Sequence, residues 1–348
     1  MAKETYIIGE IGQNHNGSVD IAKLIVELIA RPVREEYFGI DLKPMNAVKM
    51  TKRDLDHELS DSQMARIYDS PNSFGRTYGE HRAFLELSDE EHFEVYKYAK
   101  EKGLDFVETL CAPTCLSILK YFTPDYLKVA SRDITNIPLL EALAETGIPM
   151  ILSTGMAGKK ELDEALETIN KHHDKIAILH CVSQYPTHPK NLNLNTITYL
   201  KKNYPQYRIG LSDHTIGISA PVAAIAMGAE IIEKHITIDR RMKGTDQAGS
   251  LGPDGVNRMI RDIRITEMSM GKEDIFIEPD VMSSKIKLER SIAAIRNLKK
   301  GDVITENDIH LLSPGDGYKW SQRNEIIGKK IKVEVPKNEI IYPQNIEL

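Results

Sequence analysis

Two histidines in the second half of the chain have the residue type and spacing for metal chemistry. His214 follows the apolar run 209–211, and His235 lies just after the next run, 231–232. Neutral imidazole is the commonest protein ligand for transition metals, and Asp246 lies in the loop that follows. Either histidine alone is more simply a hydrogen-bonded core residue. The pair, however, predicts an open metal site completed by water and substrate, because two protein ligands are too few for structural zinc.

A second group of residues is cationic. Lys49 and Lys128 each end an apolar run, where a lysine is costly to bury without an anionic partner. Salt bridges to Glu10 or Asp133 are one interpretation and a bound anion is the other; the two are compatible, because a carboxylate can hold a lysine ready for its ligand. Hydroxyl groups near the ends of other runs, with nearby backbone amides, predict a cradle for a phosphate and a carboxylate. They belong to Thr109, Ser131, Ser153 and Ser212.

These residues share one kind of position, at or near the end of a short apolar run. Most stretches between the runs have helical periodicity with start and stop signals, such as the capping box Ser88 with Glu91 and the stop at Gly103. In a (β/α)8 barrel all eight strand ends meet at one mouth. The sequence therefore predicts an α/β protein with a (β/α)8 TIM barrel, and a doubly wound open sheet is the alternative. The runs begin at Tyr6, Ala47, Asp105, Tyr126, Met150, Ile176, Ile209 and Ile231.

Two insertions interrupt the barrel pattern. Residues 51–87 form a long polar stretch, which is typical of a lid, a binding loop or disorder. Residues 31–44 precede the second strand, where a helix should return to the barrel floor, so we expect a structural role for them.

Length and composition fit a barrel with a small second domain. The 348 residues exceed the roughly 250 that a barrel needs. The net charge of −6 argues against a general nucleic-acid binder, and no run approaches the ~20 apolar residues that span a bilayer. Cys111, Cys115 and Cys181 match no zinc or disulfide framework, and the N-terminus lacks a signal-peptide pattern. We expect a cytoplasmic protein with neither nucleic-acid nor membrane partners.

The pattern changes near residue 280. Residues 279–284 resemble a linker, and short strand-like segments with turn signals follow, including 291–295 and 331–335. We place a barrel over residues 1–283 and a small β-rich domain over residues 284–348. So few residues make a small core, which predicts that the second domain packs on something.

Several short motifs follow one another along the barrel region. They lie at residues 10–17, 152–156, 180–181 with 185–186, 210–215, 233–237 and 244–246. These motifs resemble the sialic acid synthases, which join phosphoenolpyruvate to an N-acylated mannosamine or a related aldose. The likeness runs from about Tyr6 to the C-terminus, where the last segment resembles the antifreeze-like SAF domain (a β-clip) of these enzymes.

The resemblance implies roles for individual residues. His214 and His235 would bind a divalent metal, usually manganese, with magnesium or cobalt as alternatives. Glu10 is our candidate for handling a proton, and Asp246 is its rival. The resemblance also implies a domain-swapped homodimer in which the SAF domain of one chain covers the barrel mouth of the other. With Lys49 and Lys128 as catalytic residues, the substrate-binding set is Thr109, Ser131, Asp133, Ser153, Ser183, Tyr185 and Ser212.

The implied reaction condenses phosphoenolpyruvate with the aldose, adds water at carbon two and expels phosphate by C–O cleavage. Four departures from the family pattern, at Cys111, Arg132, Ser183 and Ser313, leave the acceptor open, including whether it carries a phosphate. A 3-deoxy-octulosonate-type synthase is an alternative, although such barrels usually lack an SAF-like tail. A non-catalytic carbohydrate-binding barrel is a second alternative, and the retained histidines, lysines and Glu10 argue against it.

Overall fold

The computed structural model describes residues 4–347. The chain divides into two compact units, Met1–Gly271 and Lys272–Leu348. The expected boundary between Ser283 and Ser284 falls inside a helix, Met282–Leu288. The segment expected to be a linker thus folds as a 3-10 turn, Pro279–Val281, followed by this helix. Pro279 occupies the first position of the turn, where the fixed φ of proline suits helical backbone.

The first unit is a closed barrel of eight parallel strands. The strands in the described part of the chain are β1 (Tyr6–Gly12), β2 (Val33–Glu35), β3 (Ile40–Leu42), β4 (Ala47–Lys52), β5 (Asp105–Leu110), β6 (Tyr126–Val129), β7 (Met150–Ser153), β8 (Ile176–Cys181), β9 (Arg208–Asp213), β10 (Ile231–His235), β11 (Ser291–Ala294) and β12 (Ile309–Leu312). Strand order around the barrel is β1-β10-β9-β8-β7-β6-β5-β4, so the predicted (β/α)8 architecture is confirmed and the open sheet is wrong.

Helices cover the outside of the barrel, and several start where the sequence signals predict. Ser88 caps its helix, and the side chain of Glu91 returns to the Ser88 backbone N–H in a complete capping box. The helices are α1 (Val19–Ile29), α2 (Leu55–Glu58), α3 (Asp61–Met64), α4 (Tyr78–Leu85), α5 (Asp89–Glu101), α6 (Ile137–Ala144), α7 (Lys159–Asn170), α8 (Pro189–Leu192), α9 (Asn195–Asn203), α10 (Ser219–Ala226), α11 (Pro253–Ser269), α12 (Met282–Leu288) and α13 (Arg323–Ile326).

Alternation along the strands determines which side chains enter the barrel. In β10, Ile231 belongs to the small core inside the barrel, and Ile232 belongs to the larger core between strands and helices. Successive strand residues point to opposite faces, so Glu233 and His235 share the inner side with Ile231. Lys234, between them, faces the helical layer.

The two insertions have regular structure. The segment expected to be a long lid, binding loop or disordered stretch contains α2, α3 and α4, and α4 begins at a capping box formed by Thr77 and Glu80. Residues 31–44 form an antiparallel hairpin from β2 and β3, with an ion pair of 2.7 Å between Arg34 and Asp41 across it. The hairpin lies beside α11.

The second unit has a hydrophobic core of its own, which includes Ile292, Ile304, Ile331 and Ile341. Strands β11 and β12 pair antiparallel. The predicted strand 331–335 makes only isolated bridges to neighbouring segments. Within residues 4–347, no helix combines the length and apolarity needed to cross a membrane.

Candidate active site

A cavity of about 400 Å³ lies at the C-terminal ends of the barrel strands and is lined by residues from those ends. Of the residues predicted from the sequence, only Asp133 does not line it; its carboxylate lies 3.2 Å from Arg132 Nε, and Arg132 does line the cavity. The predicted residues in the lining are Glu10, Lys49, Thr109, Lys128, Ser131, Ser153, Ser183, Tyr185, Ser212, His214, His235 and Asp246.

Lys49 lies in a buried cluster of carboxylates and a hydroxyl. Its Nζ is 2.6 Å from Glu10 Oε2 and 3.5 Å from Glu233 Oε1, and it donates to Thr109 Oγ1 at 3.3 Å. Burial lowers the pKa of Lys49 to about 8. Burial by itself would raise the pKa of Glu233. The positive charges of Lys128 and Lys49 outweigh this effect and hold the pKa below its usual range. Of the ion pairs considered from the sequence, the structure therefore contains the one between Lys49 and Glu10.

Lys128 is also buried, but its direct partners differ from those of Lys49. Its side chain is only 2% exposed, and Nζ donates to Ser153 Oγ at 2.6 Å and to the Val129 carbonyl at 3.0 Å. Within residues 4–347 it forms no ion pair closer than 4.0 Å. Its direct hydrogen-bond partners are neutral, although its charge also acts on Glu233. A buried lysine that lines a cavity and is not directly paired with a carboxylate is suited to an anionic ligand.

Gly155 leaves space around three polar side chains that line the same cavity as Lys128. Its backbone N–H donates to Ser131 Oγ at 3.0 Å. A Cβ at this residue would lie 2.4 Å from Ser183 Oγ, 2.8 Å from Ser131 Oγ and 2.9 Å from Cys181 Sγ. Glycine is therefore the residue that keeps these three atoms accessible.

The two histidines lie together, as their positions on neighbouring strands predict. Their ring centroids are 5.5 Å apart, and the Tyr185 ring is 4.1 Å from that of His214. Nδ1 of His214 is 3.0 Å from the Val182 carbonyl. Donation from Nδ1 to that carbonyl would leave Nε2 with a free lone pair, the arrangement typical of a metal-binding histidine.

His235 also fits a metal site. Its Nδ1 is buried and has no hydrogen-bond partner in the described part of the chain. Burial lowers the pKa of His235 to about 4, so that the ring is neutral near pH 7. Among residues 4–347 no three His, Cys, Asp or Glu side chains converge as a complete ligand set. The donor set thus fits an open site with two protein ligands better than a closed structural one.

Behind the histidines a buried ion pair connects β9 and β10. Lys234 Nζ is 2.5 Å from Asp213 Oδ2 and 2.5 Å from the Thr215 carbonyl, and both charged side chains are almost completely buried. Asp213 also accepts from the Thr215 backbone N–H and hydroxyl. Because Asp213 precedes His214 and Lys234 precedes His235, the pair fixes the two strand ends that carry the histidines.

Replacing Lys234 by methionine is expected to lower the free energy of unfolding by about 3–5 kcal/mol, because it leaves the buried Asp213 carboxylate uncompensated. Urea unfolding, with native circular dichroism as the folding check, measures this change. The matched control is Lys159→Met, which removes an exposed ion pair with Asp163 and should have a much smaller effect. Equal losses in the two variants would contradict the prediction.

The structure adds site residues that the sequence analysis did not select. Glu233 lies beside Lys49, two residues before His235, and this spacing within the strand is the signal that could have indicated it. Arg53, Gln13 and Arg82 also line the cavity. Arg82 belongs to α4, inside the insertion, so strand ends alone could not indicate it.

Two of the cavity arginines are paired with carboxylates. Glu58 Oε1 is 3.1 Å from Arg132 Nη2 and 2.5 Å from Arg53 Nη1. Arg53 Nε is also 3.6 Å from Glu86 Oε1, and Arg132 Nη2 donates to Cys111 Sγ at 3.0 Å. These contacts tie both guanidinium groups to the rim of the cavity.

Comparison with known proteins identifies both parts of the chain. The NeuB family matches residues 43–274, and the SAF domain matches residues 289–347. The chain is 31% identical to N-acetylneuraminate-9-phosphate synthase of Homo sapiens, over 98% of this chain and 92% of that protein. It is 30% identical to N,N'-diacetyllegionaminic acid synthase of Legionella pneumophila, over 98% and 94% of the two chains.

The fold is also similar to that of a solved structure. The N-acetylneuraminic acid synthetase of Leptospira borgpetersenii, in complex with citrate, superposes with a TM-score of 0.67 and is 29% identical. The match covers 81% of this chain and 90% of that one.

Proposed function

The chain belongs to the NeuB family, and we propose that it condenses phosphoenolpyruvate with an N-acylmannosamine or a related aldose to give a nonulosonic acid and inorganic phosphate. The names of the relatives support this reaction class. The observation that carries the proposal is the buried Lys128, which lines the same cavity as the histidine pair and, among residues 4–347, has no carboxylate oxygen within 4.0 Å of its ammonium group. One cavity thus offers a cationic side for phosphoenolpyruvate and a histidine side for the aldehyde.

Phosphoenolpyruvate would occupy the cationic side. Among residues 4–347 the Lys128 ammonium group hydrogen-bonds only to neutral atoms, and Ser131 and Ser183, which converge around Gly155, line the same cavity. Charge-assisted hydrogen bonds from such donors are among the strongest available for a phosphate or carboxylate. Lys49, on the neighbouring side, would hold the other anionic group while Glu10 and Glu233 keep its ammonium oriented.

His214 and His235 would hold a divalent metal, for which we propose manganese, with Asp246 nearby. When bound, such a metal supplies Lewis-acid polarisation of the aldehyde oxygen. The chain's own contribution is orientation: the Val182 carbonyl fixes the His214 ring, and Lys234 with Asp213 fixes the two strand ends. Asp246 lines the same part of the cavity and would position the sugar hydroxyls.

The carbon–carbon bond would form between carbon three of phosphoenolpyruvate and the aldehyde carbon. Positive character then develops at carbon two, and the carboxylates of Glu10 and Glu233, which line the same cavity, would stabilise it. Water adds at carbon two, and the C–O bond to the phosphate breaks as the keto group forms. Of the two water protons, one goes to the former aldehyde oxygen and one leaves with phosphate.

Glu10 is the side chain best placed to carry a proton in these steps. Its Oε2 lies 2.6 Å from Lys49 Nζ. A Cβ at Gly12 would lie 2.9 Å from Glu10 Oε1 and 3.3 Å from His235 Cε1, so Glu10 borders both sides of the cavity. We therefore propose Glu10 as the acid–base group and Asp246 as a group that orients the acceptor.

The proposal predicts acceptor-dependent phosphate release. Purified protein with manganese should release phosphate from phosphoenolpyruvate only when a suitable aldose is present, and a chelator should abolish release. With ¹⁸O in the bridging position of phosphoenolpyruvate, the label should appear in phosphate. Release without acceptor, or label retained in the sugar product, would contradict the proposal.

The choice of acceptors separates the alternatives. Turnover with N-acetylmannosamine or its 6-phosphate supports the nonulosonic acid reaction, and turnover with arabinose 5-phosphate alone would support an octulosonate-type synthase. Sugar binding without turnover would support a binding protein. The domain-swapped homodimer and the cytoplasmic location also remain proposals, supported by the family resemblance.

A further inference from the structure

Arg82 differs from the other cavity arginines because its charge has no carboxylate partner among residues 4–347. Its Nη1 donates to Gln13 Oε1, and its Nε donates to the Tyr78 hydroxyl at 2.9 Å. Both partners are neutral. Arg53 and Arg132, by contrast, each contact Glu58. Arg82 thus brings an uncompensated positive charge to the cavity wall.

Gln13 presents a second unused donor at the same place. Gln13 is 7% exposed, and its Nε2 is buried without a hydrogen-bond partner among residues 4–347. The bond from Arg82 occupies Oε1, which fixes the orientation of the amide and leaves Nε2 as the free end. A buried N–H group without an acceptor is costly, so this amide in the cavity wall is suited to donate to an oxygen atom of a bound ligand.

The Arg82–Gln13 pair borders the histidine side of the cavity. Gln13 follows Gly12, whose added Cβ would contact Glu10 and His235. The loop after β10, which carries Asp246, is tied to the same turn by a hydrogen bond of 3.1 Å from Gln247 Nε2 to the Asn14 carbonyl. The pair therefore lies near the expected acceptor, whereas Lys128 and the serine hydroxyls around Gly155 serve phosphoenolpyruvate.

We propose that Arg82 and Gln13 form a subsite for a phosphate ester on the acceptor sugar, at the end remote from the aldehyde. This inference rests on the proposed function and names its acceptor class. A guanidinium group presents a planar fork of donors that matches phosphate oxygens, and the free amide N–H adds another donor. A neutral sugar would leave the Arg82 charge uncompensated inside the cavity.

The test compares N-acetylmannosamine with its 6-phosphate in three variants. Arg82→Gln removes the charge, Gln13→Glu neutralises it with little change of shape, and Arg82→Lys keeps the charge but loses the fork. The wild type should prefer the 6-phosphate. The measured quantity is kcat/KM for the 6-phosphate divided by kcat/KM for N-acetylmannosamine. This ratio should fall by about 100-fold in Arg82→Gln and in Gln13→Glu, because charge-assisted hydrogen bonds to the phosphate are lost. Arg82→Lys should fall between them and the wild type.

Controls separate the subsite from other causes. Arg66→Gln, at an exposed arginine in the same insertion, should leave the ratio unchanged. The KM for phosphoenolpyruvate should also stay unchanged in Arg82→Gln. A ratio equal to that of the wild type in Arg82→Gln, or a rise confined to the KM for phosphoenolpyruvate, would overturn the subsite.

A binding measurement tests the phosphate subsite even if no condensation reaction is detected. Calorimetry with N-acetylmannosamine 6-phosphate, in the absence of phosphoenolpyruvate, should show weaker binding to Arg82→Gln than to folded wild type and Arg66→Gln. Equal binding to all three would overturn the inference. Absence of phosphate release with every acceptor would instead contradict the proposed function.

Discussion

Replacing His235 by alanine is expected to lower kcat/KM for condensation by about three orders of magnitude or more. Metal activation of a carbonyl supplies several kcal/mol, and each 1.36 kcal/mol is tenfold in rate. His235 has a buried, unpartnered Nδ1 and lies next to His214 in the cavity. The same variant should lose manganese binding, which electron paramagnetic resonance detects without any substrate.

An exposed histidine provides the control for this variant. His172→Ala removes an imidazole just after α7 and should leave both manganese binding and turnover unchanged. Manganese bound by His235→Ala as tightly as by the wild type would contradict the assignment of His235 as a ligand. Phosphate release that survives both the variant and a chelator would exclude a metal from the reaction.

Replacing Lys128 by methionine is expected to have the second-largest effect, a loss of about 10²–10³ in kcat/KM for phosphoenolpyruvate. Methionine keeps most of the side-chain volume in this buried position but removes the ammonium group. Ser153 Oγ then loses its donor, and the anionic substrate loses a buried cation that forms no direct ion pair within residues 4–347. Steady-state kinetics with varied phosphoenolpyruvate measures the loss.

The acceptor side of the cavity gives the internal control for Lys128→Met. Binding of the acceptor alone should change little, and the variant should retain its native circular dichroism. Lys171→Met, at an exposed lysine after α7, should match the wild type. A Lys128→Met variant with an unchanged kcat/KM for phosphoenolpyruvate would contradict the assignment of this side to the phosphate and carboxylate.

Much of the fold was predictable because each barrel strand is a short apolar run with a polar residue near its end. The barrel order follows from that repeat, since parallel strands connected by helices pair in chain order. Once the barrel closes, β1 lies between β4 and β10, and Lys49 therefore meets Glu10 and Glu233. The strand pattern was therefore sufficient to predict that these side chains lie together at one end of the barrel.

Other features depend on contacts that a single sequence does not display. Lys234 carries no signal of its partner, because Asp213 lies on the neighbouring strand and both face the helical layer. Arg82 lies in α4, whose start signal at Thr77 and Glu80 was obscured by the polar composition around it. The same limit applies to the segment expected to be a linker. Its composition suggested irregular structure, but Pro279 starts a helical turn there.

The position of Arg82 on α4 has an evolutionary consequence. The groups proposed for bond formation come from strand ends, which the closed barrel fixes relative to one another. Arg82 comes from an inserted helix, and a helix between two strands can change without moving those ends. Acceptor preference can therefore diverge among descendants through exchange of this segment, while the bond-forming chemistry is inherited unchanged.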